Sequence, residues 1–205
     1  MAMRFYFDFI SPYAYLAWTQ LRTREDLEPI PILFAAVLDK VGNIGPAEIP
    51  AKRSYIIRDI ARIAHRFGVP LSAPPSHPFN PLLALRLCSL DLPRAQKLAL
   101  IDDLYKEIWT GGRGVTDREV VAEIAARHGV DIARADEAKG TLREQTDAAI
   151  ALGLFGVPTM IVDDQMFWGC DSLPHLETYL REGNVVAPEL LAKWEALPAS
   201  STRKR

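Results

Sequence analysis

Residues 11 to 14 read Ser-Pro-Tyr-Ala, follow the aromatic run FYFDFI, and open a helical pattern. A side chain there lies just past a strand and at a helix N-terminus, where unsatisfied N–H groups and the helix dipole favour negative charge. A cysteine at that place would be held as thiolate. The hydroxyl of Ser11 can instead donate a hydrogen bond to a thiolate that another molecule brings. Ser11 also reads as a plain helix N-cap, and the motif alone leaves both roles open. Ala14 stands where a resolving cysteine would be needed, so this turn has no dithiol cycle of its own.

A second stretch, Gly156-Val157-Pro158-Thr159, enters a strand through a proline. In a thioredoxin-like chain this is the place of a cis peptide, which presents the backbone of the residue before proline to an extended peptide ligand. An ordinary trans proline at a strand start is the alternative, and sequence leaves the isomer open. The remaining chemistry-bearing residues are sparse. Cys88 and Cys170 are the only cysteines, in no CxxC or Cys/His spacing, which argues against a disulfide framework, a zinc site and dithiol redox chemistry. His65, His77, His128 and His175 have no metal-ligand spacing, no metal is expected, and exposed helix or loop positions are expected for most of them. Gly111-Gly112-Arg113-Gly114 lacks the spacing and preceding strand of a phosphate loop and reads as a helix connection.

The elements that must position these residues follow from periodicity. Met3 to Phe9 reads as a strand, Pro12 to Leu21 as a helix with proline in its first turn, and Pro31 to Val37 as a short buried strand, together a βαβ unit. Lys40 to Pro50 is punctuated by glycines and prolines and reads as a loop. Helical pattern then runs to residue 153, with Ile56, Ile60, Ile63 and Phe67 on one face of the first segment and Arg58, Arg62 and Arg66 on another. Further helices are expected over Leu82 to Leu90, Arg94 to Thr110, Asp117 to His128 and Thr141 to Gly153, with Trp18 and Trp109 in the core. Thr159 to Val162 and Gln165 to Trp168 form a hairpin about Asp163-Asp164, and Asp171 or Ser172 caps a last helix to about Arg181. The tail past Gly183, ending Ser-Thr-Arg-Lys-Arg, reads as frayed and solvated.

This outline is an α/β thioredoxin-like domain (βαβ … ββα) with a large all-helical insertion. Its parts are residues 1–40 and 154–185 for the thioredoxin-like domain, about 41–153 for the insertion, and 186–205 for a C-terminal tail. The 205 residues are 49% hydrophobic and 24% charged, an ordinary globular composition, and the formal charge of -2 supplies no basic field for nucleic acid or anionic lipid. No run approaches the length of a membrane span, and Asp8 and Pro12 interrupt the only candidate for a signal core, so a cytoplasmic protein is expected.

Four blocks carry a more specific resemblance: FYFDFISPYAYLA, GPAEIPAKRSYIIRDIARIAHRFGVPL, HPFNPLLALRL and LFGVPTMIVDDQMFWGCDSL. In this order, over nearly the whole chain to about residue 182, they resemble the 2-hydroxychromene-2-carboxylate isomerase family, which belongs with the kappa-class glutathione transferases and the DsbA thioredoxin-like group. The resemblance implies glutathione as cofactor, Ser11 beside its sulfur as the catalytic residue, and Val157 pairing its backbone with the cysteinyl unit. It places Trp168, Gly169, Cys170, Asp171 and Ser172 in a further glutathione-contacting run. Asp171 could receive the γ-glutamyl ammonium, and a helix N-terminus suits a free carboxylate. Cys170 departs from the family, which more often has a polar amide there, and reads as a passive small residue or as a second thiol that mixed disulfides could block. Lys40, Asn43, Lys52, Arg53 and Asn80 are the candidates for gripping an anionic substrate, each also readable as a solvated surface group. The implied activity is isomerisation of 2-hydroxychromene-2-carboxylate to trans-o-hydroxybenzylidenepyruvate in naphthalene-type hydrocarbon catabolism, by a homodimer acting on a small aromatic ketoacid. A kappa-like transferase or peroxidase, and a non-catalytic thioredoxin-like binding module, are the alternatives.

Overall fold

The first strand, β1 (Met3–Phe7), alternates its side chains between two apolar layers and is buried on both. Phe5 and Phe7 point with Phe9 into an aromatic cluster with Trp18 and Tyr105, while Tyr6 faces Ile32, Val37, Ala149, Leu154, Val157 and Ile161. This two-sided burial is why β1 takes the centre of the sheet. The computed structural model, which describes residues 2–199, orders the strands β2-β1-β3-β4. β2 (Leu27–Pro31) runs parallel to β1, joined to it through α1 (Pro12–Leu21). β3 (Thr159–Val162) runs antiparallel on the other side and makes a hairpin with β4 (Gln165–Trp168).

Two expected elements shift. The run Pro31 to Val37 is not a strand: the strand lies earlier, at β2, and α2 (Phe34–Val41) follows. β2 is an edge strand, which tolerates the missing N–H groups of Pro29 and Pro31 that would break a central one. A short apolar run alone does not separate a buried strand from a helix, and here α2 closes on Gly42 in the left-handed region at φ 65. Lys40 to Pro50 is correspondingly not all loop, since α2 reaches Val41 and a 3-10 turn forms at Pro46–Glu48.

Between β2 and β3 the chain then runs through α3 (Pro50–Phe67), α4 (Leu82–Cys88), α5 (Arg94–Trp109), α6 (Arg118–Arg127) and α7 (Lys139–Ala151). These match the expected helices to within about two residues at most ends, because their apolar periodicity is long enough to be decisive. Ile60 and Ala64 lie on the buried face of α3, and Arg58, Arg62 and Arg66 are exposed. The fold is therefore a mixed thioredoxin-like sheet with a helical insertion. Side chains join the two: Tyr13 Oη donates to Asp59 Oδ2 at 2.9 Å, Tyr15 Oη to the Pro70 carbonyl at 2.7 Å, and Trp18 Nε1 to Asp102 Oδ1 at 3.1 Å. Both Trp18 and Trp109 are core residues.

The chain separates into two compact units, Met1–Ser172 and Leu173–Arg205. The second holds α8 (Leu173–Glu182) and α9 (Pro188–Glu195). Part of the expected frayed tail is thus helical. Pro188 presets the first turn, and Glu, Leu, Ala and Lys propagate it, although α9 buries no residue. Residues 201–205, the Ser-Thr-Arg-Lys-Arg end, lie outside the described residues. Among the described residues no helix is long and apolar enough to cross a membrane.

Candidate functional site

Ser11 is the N-cap of α1, with φ -90 and ψ 114, and is only 7% exposed. Its Oγ accepts from the Ala14 N–H at 3.2 Å and donates to the Val157 carbonyl at 3.3 Å. Cap and site are therefore one arrangement, because the cap geometry aims the hydroxyl at Val157. The Ser11 carbonyl accepts from Ala14 and Tyr15, and Pro12 has no N–H to offer. This leaves the Tyr13 N–H without a hydrogen-bond partner among the described residues, at the positive end of α1. An anionic sulfur at this turn would meet the Ser11 hydroxyl and that N–H.

Val157 precedes Pro158 through a cis peptide, which settles the isomer left open by sequence. Its carbonyl is taken by Ser11, and its N–H makes no hydrogen bond among the described residues. The Pro158 carbonyl accepts from Gly169 N–H at 2.9 Å, which brings the start of β3 and the end of β4 together. Trp168 is 52% exposed and lies against Gly156, where an added Cβ would collide with the indole nitrogen. Its ring meets Phe155 edge-on at 5.0 Å between centroids. Gly169 sits at φ 84 with the Asp171 carboxylate folded over it, so only glycine suits the position. Asp171 is exposed, and Ser172 Oγ donates back to the Gly169 carbonyl at 2.8 Å. A 3-10 turn, Cys170–Ser172, precedes α8, which starts at Leu173. Cys170 is wholly buried, and burial, aided by the carboxylates of Asp171 and Asp59, pushes its thiol up to about 12. Burial and the raised pKa both leave little thiolate for it to present as a nucleophile.

The structure thus gathers Ser11, Val157, Trp168, Gly169, Cys170, Asp171 and Ser172 about the β1–α1 turn and the β3–β4 hairpin. The expected substrate-gripping residues are more dispersed. Lys40 and Asn43 are exposed at the end of α2 and just beyond it, where Asn43 Oδ1 accepts from Ile44 N–H. Lys52 and Arg53 are exposed in the first turn of α3. Arg53 is close enough to His77 for its charge to disfavour protonation of that ring. Asn80 Oδ1 accepts from Leu82 N–H at 3.0 Å, a local turn just ahead of α4. Lys40, Asn43, Lys52 and Asn80 make no hydrogen bond or ion pair with Ser11 or Val157.

Two residues at the site carried no function in the sequence reading. Asp8 directly follows β1 and is 1% exposed, its Oδ1 accepting from Ile10 N–H and its Oδ2 from Phe34 N–H, each at 3.0 Å. Burial outweighs these bonds and pushes its carboxyl up to about 7. A lone acid inside the aromatic run FYFDF was the available signal, since such groups are rarely buried without partners. His77 is half-buried and bonded through Nε2 to the Ile10 carbonyl at 2.9 Å, and burial lowers its pKa. His128 is half-buried against Asp103 at 3.0 Å, so of the histidines expected at the surface only His65 and His175 are fully exposed.

Comparison with known proteins matches residues 2–181 to the family model of a DSBA-like thioredoxin domain. The chain is 34% identical over 189 residues to 2-hydroxychromene-2-carboxylate isomerase of Sphingobium xenophagum, covering 86% of this chain and 96% of that protein. It is 28% identical over 206 residues to glutathione S-transferase kappa 1 of Rattus norvegicus, covering 88% and 91%. Among solved structures, a 2-hydroxychromene-2-carboxylate isomerase superposes with a TM-score of 0.79 at 28% identity, over 97% of this chain and 100% of that one.

Proposed function

The chain belongs to the DSBA-like thioredoxin domain family, and from that premise we propose that it is a glutathione-dependent isomerase interconverting 2-hydroxychromene-2-carboxylate and trans-o-hydroxybenzylidenepyruvate. The observation that carries the reading is the pairing of the Ser11 hydroxyl with the Val157 carbonyl beside an unpartnered Val157 N–H and an unpartnered Tyr13 N–H. An extended cysteinyl unit needs a backbone donor and acceptor at its edge, and a thiolate needs donors at its sulfur. The residues present fit such a ligand, and Ala14 provides no competing thiol.

Bound there, glutathione would supply a thiolate that adds reversibly to the substrate and leaves again, so that a double bond becomes single for long enough to rotate. Ser11 turns its hydroxyl from Val157 to the sulfur and, with Tyr13 N–H and the α1 dipole, holds the charged form. Val157 aligns the ligand backbone, and Asp171 receives the ammonium at the remote end. Trp168 and Phe155 wall the hairpin side with apolar surface. Arg53, whose charge is felt at His77 beside the Ser11 turn, grips the ketoacid carboxylate and opposes the negative charge that develops on it, and Lys40, Asn43, Lys52 and Asn80 are the further candidates for holding the substrate. No thiol is consumed. The protein works as a cytoplasmic homodimer in aromatic-hydrocarbon catabolism, without nucleic-acid or membrane partners.

The test follows hydroxychromene carboxylate spectrally with and without glutathione. Turnover that requires glutathione and leaves its concentration unchanged is expected. Depletion of glutathione in step with turnover would establish instead a transferase or peroxidase, the reading favoured by the similarity to the kappa enzymes. Absence of both binding and turnover would leave a thioredoxin-like binding module.

A further inference from the structure

The two peptide groups that precede Ser11 have all four of their polar atoms bonded. Trp109 Nε1 donates to the Phe9 carbonyl at 3.1 Å, and Ile10 N–H donates to Asp8 Oδ1 at 3.0 Å. His77 Nε2 pairs with the Ile10 carbonyl at 2.9 Å, and Ser11 N–H donates to the Asp8 carbonyl at 3.1 Å. A carbonyl only accepts, so His77 carries its proton on Nε2. One half of this set comes from Asp8, directly after β1. The other half comes from the insertion, reaching back from α5 and from the loop before α4.

We infer that Asp8 and His77 are positioning residues that act through Ile10 to set the direction of the Ser11 hydroxyl. Each has its own anchorage. Asp8 Oδ2 takes the Phe34 N–H at 3.0 Å, which ties the turn to the start of α2. The His77 ring lies edge-on to Trp109 at 5.8 Å and to Phe79 at 6.1 Å between centroids, so the two insertion donors brace one another. Peptide groups held at both ends cannot swing, and the φ and ψ at Ser11 inherit that rigidity. The helical insertion thereby does more than cover a substrate: it holds the turn on which Ser11 stands. His77 is the cleaner probe, because burial and Arg53 both disfavour its charged form, and removing a neutral ring leaves the local charge unchanged. Removing the Asp8 carboxylate would itself stabilise a neighbouring thiolate and obscure the effect.

The inference rests on the glutathione reading, and its test keeps the two separable. Wild type, His77→Ala, His77→Gln, Ser11→Ala and His77→Ala with Ser11→Ala are titrated by ultraviolet absorbance of bound glutathione thiolate. His77→Ala should raise the thiol pKa by up to about one unit, less than Ser11→Ala does. His77→Gln, which keeps an N–H donor, should restore it, and His77→Ala should add nothing once Ser11 is alanine. A wild-type curve in His77→Ala, or an equal further rise on the Ser11→Ala background, overturns the positioning role. If wild type does not bind glutathione, that reading fails and amide exchange of the free protein decides the clamp. His77→Ala and Asp8→Asn should each speed exchange at Ser11 and Ala14 by roughly tenfold with global stability held comparable. Unchanged exchange at both amides overturns it.

Discussion

The hydroxyl of Ser11 donates to the carbonyl of Val157 at 3.3 Å, across 146 residues of sequence. This contact joins the strand-to-helix turn of the βαβ unit to the strand entry of the hairpin unit.

Substituting Ser11 by alanine removes one hydrogen bond to a charged group, worth roughly 1.5–3 kcal/mol. The hydroxyl favours the thiolate, so its loss favours the neutral thiol and should raise the pKa of bound glutathione by about 1–2 units. Turnover near neutral pH should fall in proportion and partly return at alkaline pH. Thiolate absorbance of saturated wild type and Ser11→Ala, followed against pH, checks this. Superimposable curves would reduce Ser11 to a helix cap.

Asp171→Ala combined with Ser172→Ala should weaken glutathione binding more than it slows turnover at saturation. Both side chains pack on Gly169, and neither makes a hydrogen bond to the Ser11 hydroxyl. Binding energy lost equally from ground and transition states appears in KM and leaves kcat in place. Calorimetric affinity and saturated rates measure the two effects separately, and a collapse of kcat at unchanged affinity would contradict the placement.

Asp8 ties folding stability to pH with an unusual sign for a carboxylate. Its pKa rises from 3.8 to about 7 on folding, so between these values the folded chain keeps a proton that the unfolded chain has released. Stability from this group is therefore fully present below about pH 4, falls as pH rises through the interval, and levels off above about pH 7, a change on the order of 4 kcal/mol. Asp8→Asn cannot titrate and should lack that slope. Urea midpoints of both proteins across the interval are the measurement, and parallel slopes would show that Asp8 is ionised throughout.

Cys170 and Cys88 should resist thiol reagents in the folded state. Both are wholly buried, and burial raises both thiols, Cys170 to about 12. Little thiolate exists near neutral pH, and none of it is accessible. An aromatic disulfide reagent should label both at the rate of protein opening, with denaturant accelerating the reaction sharply. Rapid labelling of Cys170 in the native protein would mark it as a reactive thiol beside the proposed glutathione site.

Periodicity and punctuation were enough for α1, the hairpin and the long helices, which depend on patterns repeated along ten or more residues or on a local turn such as Asp163-Asp164, and for the existence of β1, although that strand stops at Phe7 and not at the expected Phe9. The Ser-Pro and Val-Pro turns were also legible, because proline and a capping hydroxyl act on their own neighbours. Pro31 to Val37 was misread for the converse reason. Whether an apolar run becomes an edge strand or a helix depends on which partner it meets, and only the assembled sheet puts Pro29 and Pro31 on an edge. The same limit hid Asp8 and His77. The bonds of Asp8 to Phe34 and of His77 to Ile10 span 26 and 67 residues, and no local pattern announces a hydrogen bond between distant segments. From its sequence alone this protein determined a serine at a helix start and a proline at a strand start. Tertiary structure decided that the two face each other, because burying both faces of β1 draws β3 beside it and brings Val157 within reach of Ser11.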